Sequence, residues 1–171
     1  MARFATRPEE PVKRLLVVRH GAAQGKSPAG GDRDRALTLE GRQAAAALGR
    51  RLKSDGIHPD HVLCSPARRA RETLDRLASA LDPLPPAKFH EALYLADTST
   101  LQDHLRAVPA ETSCLLLIGH NPGLEELIRA LAGPEIAGHG LPAAGIAIFE
   151  ISGAWSSLSA STARLVTFPA L

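Results

Sequence analysis

The stretch Leu15-Leu16-Val17-Val18-Arg19-His20-Gly21 decides how the rest of the chain is read. Four consecutive apolar residues suit a strand buried on both faces, because a half-exposed strand would alternate apolar and polar positions. The run then stops on an arginine, a histidine and a glycine. Two later runs follow the same plan. His61-Val62-Leu63-Cys64 leads into Ser65-Pro66, and Cys114-Leu115-Leu116-Leu117-Ile118 leads into Gly119-His120-Asn121-Pro122.

Between these runs the apolar spacing turns helical. Thr38 is placed to cap a helix reaching Lys53 and ended by Gly56. Ser65 as cap and Pro66 as first helical residue open a second helix, which runs to Leu81 and stops at Asp82-Pro83. An extended piece over 88–93 precedes a third helix, capped at Thr98 or Ser99 and closed before Pro109. Asn121 and Pro122 repeat the cap-and-proline pattern for a fourth helix ending at Gly133, with Glu125 and Glu126 in its favourable first turn. Residues 145–168 alternate around Gly153-Ala154 and read as a β-hairpin. The predicted fold is a three-layer α/β/α sandwich with a mostly parallel central sheet.

Composition excludes several alternatives. At 171 residues the chain has room for about one domain of ordinary size, expected over 13–171 after a disordered arm over 1–12. A net charge of +2 and an aromatic content of 4% give neither a polycationic footprint nor stacking platforms for nucleic acid. No apolar run approaches the ~20 residues of a membrane-spanning helix. The N-terminal arm has no apolar core of signal-peptide length, and two cysteines are too few for a secreted scaffold, so the cytoplasm is the expected compartment.

Ligands of an open parallel sheet bind beyond the carboxyl ends of its strands. If the three runs are parallel, Arg19, His20, Arg69 and His120 converge there. Arginine forks match phosphoryl oxygens, and the two helix starts after Ser65 and Asn121 add oriented backbone N–H groups. A neutral histidine among such groups can attack phosphorus, while fixed cations stabilise the spreading charge. Because the arginines supply that charge, neither a metal nor a cofactor is expected.

At this point the chain resembles a known family. Arg19-His20-Gly21, Leu37-Thr38-x-x-Gly41, Ser65-Pro66-x-x-Arg69-Ala70-x-x-Thr73 and Gly119-His120 are similar to the four landmarks of the histidine phosphatase (phosphoglycerate-mutase-like) superfamily, over about residues 13 to 133. The resemblance implies that His20 is the phosphorylated nucleophile, that Arg19, Arg69 and His120 bind the phosphoryl group, and that Ser65 supports the pocket. Within the superfamily the likeness is to the small SixA-type phosphohistidine phosphatases, because the spacing leaves no residues for a helical lid. An open site suits a phosphoryl group carried on a protein side chain.

The expected partner is therefore a phosphorylated protein, such as a phosphohistidine carrier domain. A small phosphate ester is the alternative, and a catalytically poor phosphoprotein-binding module is a second. The chain departs from the family pattern in having Ala22 and Ala23 after the Arg-His-Gly triplet. Gln24 and the Asn121 backbone are candidate phosphate contacts, and Glu91 stands about where the mutase branch places its proton donor. The charged run Asp32-Arg33-Asp34-Arg35 reads as a solvated, self-neutralising loop.

Overall fold

The computed structural model describes residues 12–28, 30–81, 83–136 and 138–169. The expected arm lies outside these except for Val12. Six strands form one sheet: β1 (Lys13–Arg19), β2 (His61–Cys64), β3 (Lys88–Phe89), β4 (Cys114–Gly119), β5 (Ile146–Ile151) and β6 (Ala163–Thr167), in the order β3-β2-β4-β1-β5-β6. The first four in that order are mutually parallel, and β5 and β6 extend the sheet antiparallel to their neighbours.

The continuous apolar runs are explained by burial on both faces. Leu16 and Val18 join Leu116 and Ile118 against α1 (Leu39–Ser54) and α2 (Arg68–Leu81). Leu15 and Val17 join Leu115 and Leu117 on the opposite face, packed against α3 (Thr98–Arg106) and α4 (Gly123–Ala132). This is the expected sandwich, and no helical lid is inserted among the described residues.

Several local expectations are corrected. The helix after Ser65-Pro66 begins only at Arg68, because the Ser65 hydroxyl accepts from the Ala67 amide within the preceding turn, at 3.3 Å. Asp97, rather than Thr98 or Ser99, caps α3 by accepting from the Thr100 amide. Asn121 does not cap α4, since its side-chain amide donates to Glu125 and to the Leu141 carbonyl instead. The extended piece near residue 90 is strand only at Lys88–Phe89 and then coils into a 3₁₀ turn, Glu91–Leu93. β5 and β6 do form a hairpin, but its connection is long and carries a further turn, Trp155–Ser157, whose Trp155 indole donates to the Thr112 carbonyl.

Candidate active site

Strand register brings the polar strand ends to one height. Arg19 is level with Gly119 and Cys64 with Ile118, so the next residues, His20, Ser65 and His120, leave the sheet side by side. The backbone ladder continues one step past the strands: the His20 amide donates to the Gly119 carbonyl and the Ser65 amide to the Ile118 carbonyl. The His20 and His120 rings end up 5.1 Å apart, centroid to centroid.

Arg69 projects from the first turn of α2 into the gap between them and is only 2% exposed. Its Nε donates to His20 Nε2 at 3.2 Å and its Nη2 to His120 Nδ1 at 3.3 Å. A guanidinium removed from water needs compensating acceptors. Asp32 provides two, taking Nη1 on its backbone carbonyl at 2.7 Å and Nη2 on its carboxylate at 3.0 Å. The Tyr94 hydroxyl donates to the same carboxylate oxygen at 2.5 Å, and its ring stands edge-on to His120.

These contacts assign the ring protons. A carbonyl can only accept, so His20 Nδ1, 2.8 Å from the Gly21 carbonyl, carries the proton and Nε2 is bare. A guanidinium can only donate, so His120 Nδ1 is the acceptor. Its Nε2 therefore carries the proton and donates to Ser65 Oγ at 2.7 Å. Burial pushes both imidazoles down, His20 to about 4 and His120 to about 3. For His20 the Gly21 carbonyl opposes that shift, while Arg69, Arg19 and Arg35 reinforce it. For His120 the neighbouring His20 and Arg69 add to it. Both rings are neutral at pH 7.

The landmark glycines serve backbone contact. A Cβ on Gly41 would lie 2.2 Å from the Ala22 carbonyl oxygen, and one on Gly21 would lie 2.7 Å from the Gly41 carbonyl oxygen. The start of α1 thus presses on the chain leaving β1, just where His20 is held.

The expected residues are not equally central. His20, Arg69, His120 and Ser65 form one connected cluster. Arg19 is half-buried beside it, with Nη1 on the Leu141 carbonyl at 3.0 Å. Its buried Nε has no acceptor among the described residues, and nor has that of Arg35. Unsatisfied buried donors of this kind suit an oxyanion. Gln24 is exposed, and its backbone N–H donates to the Ala36 carbonyl. The Asn121 side chain fastens the site's back wall to Leu141. Glu91 lies at the rim, its side chain 76% exposed and its carboxylate on Arg33 at 2.5 Å.

Sequence reasoning missed Asp32, Tyr94, Arg35 and the structural role of Thr73. The alternating charges of 32–35 were a usable signal. A carboxylate next to a strand end rich in arginine has a natural partner there, whereas an isolated tyrosine gave none. No group of three or more His, Cys, Asp or Glu among the described residues is arranged to share a metal ion.

The family model for the histidine phosphatase superfamily (branch 1) matches residues 15–133. The uncharacterized protein ML1117 of Mycobacterium leprae is 32% identical over 144 residues, covering 80% of this chain and 87% of that protein. Among solved structures, one assigned as the phosphohistidine phosphatase SixA of Nakamurella multipartitia aligns with a TM-score of 0.82 at 27% identity, covering 94% of this chain and 96% of that one. The protein histidine phosphatase SixA complexed with tungstate shares the fold, with a TM-score of 0.78 at 23% identity over 90% of this chain and 94% of that one. With its paired histidines and buried arginine at the level strand ends, this chain belongs to the histidine phosphatase superfamily, branch 1, and is a phosphatase.

Proposed function

We propose that the protein removes phosphate from phosphohistidine on a protein, through a phosphohistidine formed at His20. The observation that carries the reading is the bare His20 Nε2, fixed by the Gly21 carbonyl behind it and facing Arg69. In the first step Nε2 bonds to phosphorus, the bond from phosphorus to the substrate imidazole breaks, and that imidazole takes up a proton from water. Water then attacks the phosphorus of phospho-His20, releasing inorganic phosphate and regenerating the neutral ring. Arg69 and Arg19 hold the transferring oxygens, and His120 joins them in its other neutral tautomer, with Nδ1 protonated and Nε2 accepting from the Ser65 hydroxyl; the helix start near Asn121 and the Gln24 side chain are further contacts. The two arginines supply the compensating charge, so the reaction is expected to need no added metal.

The substrate preference rests on reach and on the leaving group. His20 is 8% and His120 3% exposed, with no inserted helix among the described residues to close over a bound metabolite. A phosphorylated imidazole carries its phosphorus well away from its backbone and can enter such a recess. A phosphoramidate also leaves with less help from an acid than an alkyl oxygen does. Glu91 is the proposed donor for oxygen leaving groups, a role that requires it to release Arg33.

Rapid-quench labelling tests the mechanism. An acid-labile, base-stable phosphoenzyme is expected in the wild type and absent in His20→Ala; full turnover in His20→Ala would overturn it. The substrate is tested by competing a phosphohistidine-bearing carrier protein against sugar and glycerate phosphates, ranked by kcat/KM. Dominant turnover of a small ester would reassign it.

A further inference from the structure

We propose that Asp32 is a positioning residue for phosphoryl transfer, clamping the Arg69 guanidinium so that it stays beside the reacting phosphorus. The inference rests on His20 as nucleophile and goes beyond it to the residue that aims its main cation. Asp32 grips two nitrogens of Arg69 at once, Nη1 through its carbonyl and Nη2 through its carboxylate. The carboxylate is itself held by the Tyr94 hydroxyl and stands 3.5 Å from Arg35 Nη1. Tyr94 chiefly, and Arg69 after it, keep Asp32 below the usual carboxylate range, so the clamp is anionic at neutral pH.

The remaining nitrogen, Nε, contacts His20 Nε2 at 3.2 Å, a long N–H···N distance. An incoming phosphorus must take that direction from it. With Nη1 and Nη2 held, the displaced Nε–H stays close enough to donate to a phosphoryl oxygen as the new bond forms. Without Asp32 the guanidinium is free to swing onto substrate oxygens in the ground state. Asp32 also offsets part of the positive charge the phosphoryl group meets, which weakens ground-state binding. Its carboxylate therefore serves the transition state at the expense of affinity, which is the differential that raises turnover.

This predicts a divided kinetic signature. In Asp32→Asn the side chain keeps its size while losing its charge. The expected result is a fall in kcat of about 10- to 100-fold, the scale of a small misplacement of a catalytic group. The inhibition constant for inorganic phosphate should fall as well, by about fivefold, because a nearby negative charge is gone. Tyr94→Phe, which frees the carboxylate without removing its charge, should lower kcat by less and leave the inhibition constant for phosphate near the wild-type value.

The measurements are phosphoenzyme formation by rapid quench and phosphate inhibition, on variants whose thermal melts match the wild type. If Asp32→Asn is poorly folded, Tyr94→Phe alone carries the test. Unchanged labelling rate and unchanged phosphate affinity would overturn the proposal, and so would a lower rate with weaker phosphate binding, the mark of a merely disturbed pocket. Absence of any phosphoenzyme in the wild type would overturn the His20 mechanism itself, a separable failure.

Discussion

The Gly21 amide donates to Thr73 Oγ1 at 2.9 Å, and that hydroxyl in turn donates to the Arg69 carbonyl at 2.7 Å. One side chain thereby ties the residue after His20, the proposed nucleophile, to the helical turn that carries Arg69. The spacing Arg69-x-x-x-Thr73 is one helical turn, so the bond back to Arg69 is local. The bond to Gly21 is the long-range one.

Thr73→Val keeps the shape of the side chain and strands the Gly21 amide in the interior. A loss of about 1–3 kcal/mol is expected for an unsatisfied buried donor, with kcat falling as His20 and Arg69 lose their common anchor. Thr73→Ser should recover most of both. Urea melts and steady-state rates check this; a Thr73→Val enzyme of full stability would show that the bond is dispensable.

The depressed histidines set a pH dependence. The proposed attack by His20 needs a neutral ring, so the acid limb of kcat/KM belongs near pH 4 rather than near 6.5. NMR titration of the His20 ring reads the same quantity without interference from substrate ionisation, and an ordinary midpoint near 6.5 would refute it.

Stability follows from the same shift. Between about pH 6.5 and 4 the unfolded chain binds protons at position 20 that the folded chain refuses, so stability falls as pH falls through that window. His20 alone accounts for a loss on the order of 3 kcal/mol. Denaturation at pH 7 and pH 4.5 should show a smaller difference in His20→Gln than in the wild type; identical differences would count against a buried neutral ring.

Gly41→Ala sets a methyl group against the backbone of Ala22, where no flexible side chain can yield. A cost of about 1–3 kcal/mol is expected from overpacking, accompanied by a drop in kcat because Ala22 lies just past His20. Gly25→Ala, whose added carbon meets nothing within 4 Å, is the matched control and should melt like the wild type.

Glu91→Gln separates the two leaving-group classes. Its ion pair with Arg33 is exposed, so stability should barely change. Turnover of an alkyl phosphate should fall by tenfold or more, on the scale of general-acid catalysis, while phosphohistidine turnover falls less. Equal losses on the two substrates would remove Glu91 from the mechanism.

What the sequence made legible was whatever depends on short-range pattern. Unbroken apolar runs located β1, β2 and β4, and the polar residues immediately after them located His20, Ser65 and His120. Capping is read less well, because the Ser65 hydroxyl is engaged by the Ala67 amide and His120, and the Asn121 amide by Glu125 and Leu141. Asp32 and Tyr94 are harder to read for a related reason. Neither belongs to a periodic segment, and each acquires its role only when the segment at 32–35 and the turn at 91–93 meet over Arg69. Alternating charges look self-satisfied in one dimension; only the fold turns Asp32 toward a buried guanidinium.

The level register of β1 and β4 has an evolutionary corollary. Because His20 and His120 step off adjacent strands at the same height, their separation is inherited from the backbone ladder rather than from either side chain's surroundings. A slip of one residue would turn one histidine to the wrong face, so the spacing is protected by the whole apolar core beneath it. The segments at 21–35 and 90–95, by contrast, lie outside that ladder, and it is they that bring Asp32 and Tyr94 onto Arg69. Such a scaffold builds the distance between its histidines into the backbone and leaves the aim of its arginine to the loops.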